Sequence, residues 1–360
     1  NKELTLAEQK IDEYYATSIS QSISSFLIND TLKDYSGETY ENIYTNIFMA
    51  LNYLQMNKFD DAFVEIRRFD NKLKEITSQS QLLIENTKRE MEEGSDQVPA
   101  VNLKFHNSAF ARYLSMLMYR SDGDSDNAAV DYKMIKDAFA LQPEIYPFAI
   151  PQTVSDDVNI PSGMARLNIV SFEGRSPVKV EDVLRVPIAN TYYKLALPEM
   201  KKTPSKIAGA KVLITSKADG SEQTISLEKI ESIENIALDT YQQQYAMIFA
   251  KSLARSVAKA ATTSVLDNQS QKQDGYAGLA LSLLSLASAV TTEATERADV
   301  RTSRFFPATV SVTGVTLSPG LYDIRIVYYN AHGTPVAERL FTDFRIDSGK
   351  LNLAESVCLQ

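Results

Sequence analysis

The chain has 360 residues and a formal net charge of −9, which argues against a nucleic-acid binder, since such proteins carry a basic stripe. Its composition, 44% apolar and 23% charged, is that of a globular chain long enough for two domains with buried cores. The single cysteine, Cys358, excludes an internal disulfide and a cysteine-based zinc site.

Residues 4 to about 145 read as helical. Asn46 to Ile66 and Ala111 to Tyr132 repeat one pattern: a tyrosine (Tyr53, Tyr119) ends an apolar helix face and a polar turn follows. An alanine (Ala62, Ala128) comes nine positions after the tyrosine, then a carboxylate (Glu65, Asp131) and a bulky residue (Ile66, Tyr132). A small alanine lets two helices approach closely, the device of tetratricopeptide repeats. Apolar residues at Phe59, Ala62, Phe63, Ile66, Phe69, Leu73 and Ile76 place one stripe on a long helix reaching about Glu92, whose charged end, Lys88 to Glu93, is expected to project into solvent. Pro143, Pro147, Pro151 and Pro161 then exclude a continuous helix and mark a linker over 146–163.

Beyond the linker the period becomes two. Segments beginning at Arg166, Lys211, Ala308, Tyr322 and Arg339 read as strands with one buried face. Between the early and late strands, residues 231–298 read as two antiparallel helices joined by a polar loop at Asp267 to Gly275. The expected fold class is α+β: an N-terminal α-helical tetratricopeptide-like domain over 1–145, followed over 164–360 by an antiparallel β-sandwich interrupted by an α-helical hairpin.

Five segments together resemble a largely uncharacterised family of bacterial cell-envelope lipoproteins with tetratricopeptide repeats. Ala62 to Arg68 is similar to its "A-x-V-E-x-R-R", and Tyr113 to Tyr132 to its repeat. Gly174 to Lys179 resembles "G-x-x-P-V-K", and Leu195 to Pro198 also matches. Glu296 to Arg301 with Phe306-Pro-Ala308 resembles "E-x-A-D-x-R" followed by "L-P-A", although the family's tryptophan after the arginine is missing and Phe305 or Phe306 stands in that space. The resemblance implies export, a periplasmic or outer-membrane location, and a lipid anchor on a cysteine just before Asn1. A start at Asn1 instead of Met likewise suggests a removed leader. The resemblance supplies no reaction and no cofactor.

The chemistry-bearing residues favour binding over catalysis. His106 and His332 fall in different expected domains with no nucleophile motif beside them, so both are read as structural. No phosphate loop and no metal-ligand spacing occurs; the acidic turn Asp122-Gly-Asp-Ser-Asp126 lacks the later glutamate of a calcium loop and reads as a solvated turn. The first helices of the repeats would line a peptide groove with Tyr44, Asn46, Ile47, Asn52, Arg112, Tyr113 and Met116; the same side chains could instead pack on the N-terminal helix or the sheets. Glu296, Asp299 and Arg301 are expected to fix the junction where the chain re-enters the sheet. The stretch 276–290, with Leu281, Leu284 and Leu286, is nearly free of charge; it is expected to be buried, the alternative being insertion into a partner or membrane, although it is short for a membrane span. Arg255 and Lys259 share a face of the preceding helix with Lys251. These features point to a non-enzymatic adaptor or assembly factor contacting other envelope proteins or peptides. The alternatives are a structural subunit docking through the hairpin and an envelope hydrolase with its site between the domains.

Overall fold

Two successive helix pairs are closed by the same turn. The helices are α1 (Lys2–Ser20), α2 (Thr39–Gln55), α3 (Phe59–Glu90), α4 (Ala109–Ser121) and α5 (Ser125–Leu141). At the end of α2, Lys58 N donates to Tyr53 O (2.9 Å) and Asn57 N to Leu54 O (3.0 Å), with Asn57 left-handed at φ 55. At the end of α4, Asp124 N donates to Tyr119 O (2.9 Å) and Gly123 N to Arg120 O (3.2 Å), with Gly123 at φ 81. These paired bonds are a Schellman motif, which satisfies the last carbonyls of a helix and reverses the chain. The tyrosine of each repeat is thus the residue that accepts the outer bond. Ala62 and Ala128 are buried in the same hydrophobic cluster, and Phe63 meets Tyr119 between the pairs with ring centroids 4.7 Å apart.

The computed structural model describes residues 1–20, 34–90, 103–188, 191–242, 244–246, 248–249, 252 and 297–360. Helices fill the N-terminal part and sheets the C-terminal part, an α+β arrangement. A short α6 (Gln152–Asp156) precedes ten strands: β1 (Ala165–Glu173), β2 (Val178–Ile188), β3 (Thr191–Lys201), β4 (Gly209–Ser216), β5 (Glu222–Ser226), β6 (Glu228–Ser232), β7 (Thr309–Leu317), β8 (Gly320–Tyr329), β9 (Pro335–Ile346) and β10 (Asn352–Cys358). One four-stranded sheet runs β10-β1-β7-β6, another β5-β4-β8-β9, and β2 and β3 form a separate ribbon. After β6 a helix begins at residue 233; the rest of the expected hairpin, its polar loop and residues 276–290 lie outside the described residues, as do the side chains at the charged end of α3.

β1 corrects two expectations. It pairs antiparallel with β7 but parallel with β10, so its sheet is mixed. The cause is topological: the chain leaves β9 at the edge of the second sheet and crosses to the free edge of β1, entering in the same direction. Every residue of β1 is buried, not one face alone. Leu167 and Ile169 join the cluster between the two four-stranded sheets, while Val170 and Phe172 join the helical core. Phe172 packs against Phe48 of α2 and Phe110 of α4, with centroids 5.4 and 5.6 Å apart. One hydrophobic cluster therefore runs through both the helices and the first sheet. The proline-rich segment is not a free tether, since Tyr146, Val154 and Asp157 within it are buried.

Candidate interaction surface

Three polar junctions hold the helices to the sheets, and they determine which surfaces stay available. The first is built on Glu231. The β6–β7 ladder shifts register between Lys229 and Glu231, and the neighbouring Ile230 and Glu231 are both buried. The Glu231 carboxylate meets the start of α4: Ser108 Oγ donates to it at 2.5 Å and Phe110 N at 3.1 Å. Tyr146 donates at 2.9 Å, and the Tyr44 hydroxyl of α2 closes the set. Ser108 Oγ also accepts from Ala111 N (3.0 Å), capping α4. Burial raises the Glu231 carboxyl above the ordinary range against the pull of these donors. Burial likewise pushes the Tyr44 and Tyr146 hydroxyls upward, with the Glu231 charge as the second cause.

The second junction is built on Asp157, which is fully buried. Arg166 of β1 donates from Nε at 2.6 Å, Asn168 at 3.0 Å, Tyr113 at 2.7 Å and Thr153 at 2.9 Å. Arg120 of α4 stands 3.3 Å away and also binds Asn168 (2.8 Å). Even-numbered positions on β1 thus carry Arg166 and Asn168 at one end and Val170 and Phe172 at the other, a polar and then an apolar contact with the helices. Gly314 of β7 lies opposite Asn168, and a Cβ there would meet Thr153 Oγ1 at 2.5 Å and an Arg166 nitrogen at 2.9 Å. Gly314→Ala is therefore expected to destabilise the fold by about 1–3 kcal/mol. Chemical denaturation checks this, and an unchanged midpoint would contradict the tight approach.

The third junction lies where α2 meets the base of the ribbon. Lys179 of β2 places Nζ 2.5 Å from Glu38 Oε1, both side chains being buried, while Glu38 Oε2 has no hydrogen-bond partner among the described residues. Glu41 accepts from Glu38 N (3.0 Å), Tyr35 (2.7 Å) and Ser303 N (2.7 Å). Lys179 and Arg301 lie 5.7 and 5.5 Å from the Tyr35 ring centroid. Burial pushes the Glu38 carboxyl up to about 7 although Lys179 pulls it down. The folded chain then holds a proton that the unfolded chain releases at roughly pH 4.3. Unfolding free energy is expected to fall as pH rises from roughly that value to about 7, and Glu38→Gln should flatten the fall. Denaturation across a pH series checks this; an identical slope in the variant would contradict it.

The expected groove residues are mostly interior. Tyr44, Ile47, Tyr113 and Met116 are buried, and Tyr44 and Tyr113 serve the Glu231 and Asp157 junctions. Asn46 is buried and donates to Glu8 of α1 (2.9 Å) and Glu65 of α3 (2.7 Å). Arg68 and Lys72 complete that cluster on Glu8, at 2.5 and 2.6 Å. Arg112 pairs with Asp70 (2.7 Å). Asn52 is exposed and bonds Asn1. On this face Asn46 meets α1 through Glu8, and Tyr44 meets the first sheet through Glu231. Asp299 and Arg301 pair with each other at 2.8 and 2.9 Å. Glu296, Arg255, Lys259, Leu281, Leu284 and Leu286 lie outside the described residues. The acidic turn supplies a helix cap, Asp124 accepting from Asn127 N at 3.0 Å. Both histidines are exposed. Among the described residues no cluster could hold a metal ion, and no helix is long and apolar enough to cross a membrane.

The ribbon is the surface that sequence reasoning missed. Among the described residues β2 and β3 pair only with each other. The base is held by Lys179, by the buried Leu195, Leu197 and Met200, and by Tyr241, whose hydroxyl donates to Pro198 O (2.5 Å). Residues 181–185 are exposed, with Val183 and Leu184 at 39% and 37%. Beside it, Ala298 N donates to Glu181 (2.9 Å). The irregular alternation of Val178 to Ile188 hid this strand, although its six apolar residues were a usable signal. Comparison with protein-family models, curated proteins and solved structures finds no match for this chain.

Proposed function

We propose that the protein is a non-enzymatic adaptor or assembly factor of the bacterial cell envelope, periplasmic or at the outer membrane, with the β2–β3 ribbon as its contact arm. The observation that carries this reading is a ribbon locked at its base and presenting Val183 and Leu184 to solvent. Exposed apolar side chains on the open edge of a strand are a template for another chain. In this reading the pairs α2–α3 and α4–α5 are tetratricopeptide-like units and the two four-stranded sheets a sandwich. The helix beginning at residue 233 is the first arm of the hairpin insertion. The envelope assignment rests on the resemblance carried by Ala62 to Arg68, Gly174 to Lys179 and Glu296 to Arg301.

A structural subunit that docks through the apolar stretch 276–290 is the second reading. It is favoured by the contacts of Tyr241 with Pro198 and of Ala298 with Glu181, which bring both flanks of the insertion to the ribbon. A photoreactive residue at Leu184 of the full chain, irradiated in intact envelope, should give an adduct with a different polypeptide. The same residue at Leu141, exposed at the end of α5, should not. Absence of any such adduct at Leu184 would remove the adaptor reading.

A further inference from the structure

The open side of the ribbon belongs to β2. On β3, Leu195 to Leu197 are buried and the Pro198 carbonyl is taken by Tyr241. On β2, residues 181–185 are exposed, and the Val183 N–H donates to the neighbouring Asp182 carboxylate at 2.9 Å, a side-chain cap on a strand that has no second partner among the described residues. Such an edge accepts another strand through its backbone, and side chains then select which strand.

The charge order along β2 selects a copy of itself. We propose that β2 pairs antiparallel with β2 of a second copy, centred on Val183, so that two molecules share a four-stranded sheet. This deepens the reading of the ribbon as a contact arm and rests on it. A two-fold axis perpendicular to the sheet pairs only positions of the same parity, because alternate side chains face opposite sides. Centred on Val183, it sets Glu181 opposite Arg185 of the second copy and Arg185 opposite its Glu181, with Val183 against Val183 between them. A centre at Asp182 would instead set Lys179 opposite Arg185, two like charges. A centre at Leu184 would set Arg185 opposite Val183 and leave Glu181 opposite Pro187. Among registers centred on the exposed residues 181–185, the one at Val183 gives two ion pairs flanking an apolar contact, and opposite charges directly across strands stabilise a sheet. A centre at Val180 would need Lys179, which is buried against Glu38. Within its own ribbon Arg185 stands in register with Lys194, a like charge, and no carboxylate meets Arg185 among the described residues. The second copy supplies that carboxylate. Asp182 releases the Val183 N–H to the incoming strand.

Sedimentation of the full chain tests this. The unmodified protein is expected to dimerise reversibly. Arg185→Glu should weaken the dimer by about tenfold or more, because both ion pairs become like-charge contacts. The double exchange of Glu181→Arg with Arg185→Glu should restore most of the loss, which a merely misfolded ribbon would not do. Val183→Cys should form a disulfide-linked dimer on mild oxidation, and Leu141→Cys should not. A chain that sediments as a monomer at every concentration, or a double variant no tighter than Arg185→Glu alone, overturns the proposal. A dimer without foreign adducts at Leu184 would leave this interface standing and remove the adaptor. Foreign adducts on a monomer would do the reverse.

Discussion

Glu231→Ala is expected to lower the unfolding free energy by roughly 3–5 kcal/mol. The carboxylate accepts from Tyr44, Ser108, Tyr146 and the Phe110 N–H, and Tyr44, Tyr146 and Ser108 are buried. Deleting the acceptor leaves those donors away from water, each at a cost of about 1–3 kcal/mol. It also removes the anion at the start of α4, where the helix dipole favours negative charge. Some repacking limits the loss below the simple sum. Denaturant titration measures it, with Glu228→Ala on the same strand as the control. Glu228 is exposed and bonds only the Gln152 N–H among the described residues, so a change within about 0.5 kcal/mol is expected there. A second check is the coupling with Tyr44→Phe. That change should cost much less in the Glu231→Ala background, because the hydroxyl has already lost its acceptor. Equal costs in both backgrounds would show that the two groups do not act together.

Asp157→Ala should cost a similar roughly 3–5 kcal/mol through a different term, an uncompensated buried charge. Arg166 and Arg120 both direct guanidinium groups at this carboxylate, and both are largely buried. Burial already pulls the Arg120 guanidinium below its ordinary pKa, and Asp157 is the main group opposing that pull. Without the aspartate the two arginines repel each other beside Tyr113 and Asn168. Replacing all three together, as Asp157→Leu with Arg166→Met and Arg120→Met, is expected to recover a large part of the loss. An apolar set of similar volume needs no counter-charge. Denaturation of the single and triple variants separates the two explanations. A triple variant as unstable as Asp157→Ala would mean that hydrogen bonds to Tyr113 and Asn168, not charge balance, dominate the junction.

Local features were legible because their causes lie within a few residues. Tyr53 and Tyr119 mark the helix ends because each accepts the closing bond of its own turn. The alternation in Arg166 to Phe172, Lys211 to Ser216 and Tyr322 to Tyr328 placed β1, β4 and β8 for the same reason. What could not be read was what lies across each face. Arg166, Asn168, Val170 and Phe172 look like the outer side of a strand with Leu167 and Ile169 inward, yet the helices cover them. Tyr44, Asn46 and Tyr113 are buried, and their sequence left both a groove and an interior position open, since an inner helix face has one composition whether it meets a peptide or a sheet. The carboxylates that organise the junctions were invisible, because Glu231 meets residues 123 and 187 positions away. Glu65, Arg68, Lys179, Asp299 and Arg301, all within segments singled out by resemblance, lie at polar contacts.

The helices and the first sheet are expected to unfold as one unit through their shared core, with the exposed residues 181–185 of the ribbon standing outside it. Hydrogen exchange across a denaturant series, read separately for amides of α4 and β1, tests this most directly. The two sets should converge on one global opening free energy with the same denaturant slope, and Glu231→Ala should lower both equally. Amides of α4 that open at clearly lower denaturant than those of β1, with Glu231→Ala moving only the helices, would mean an independent helical domain and would contradict it.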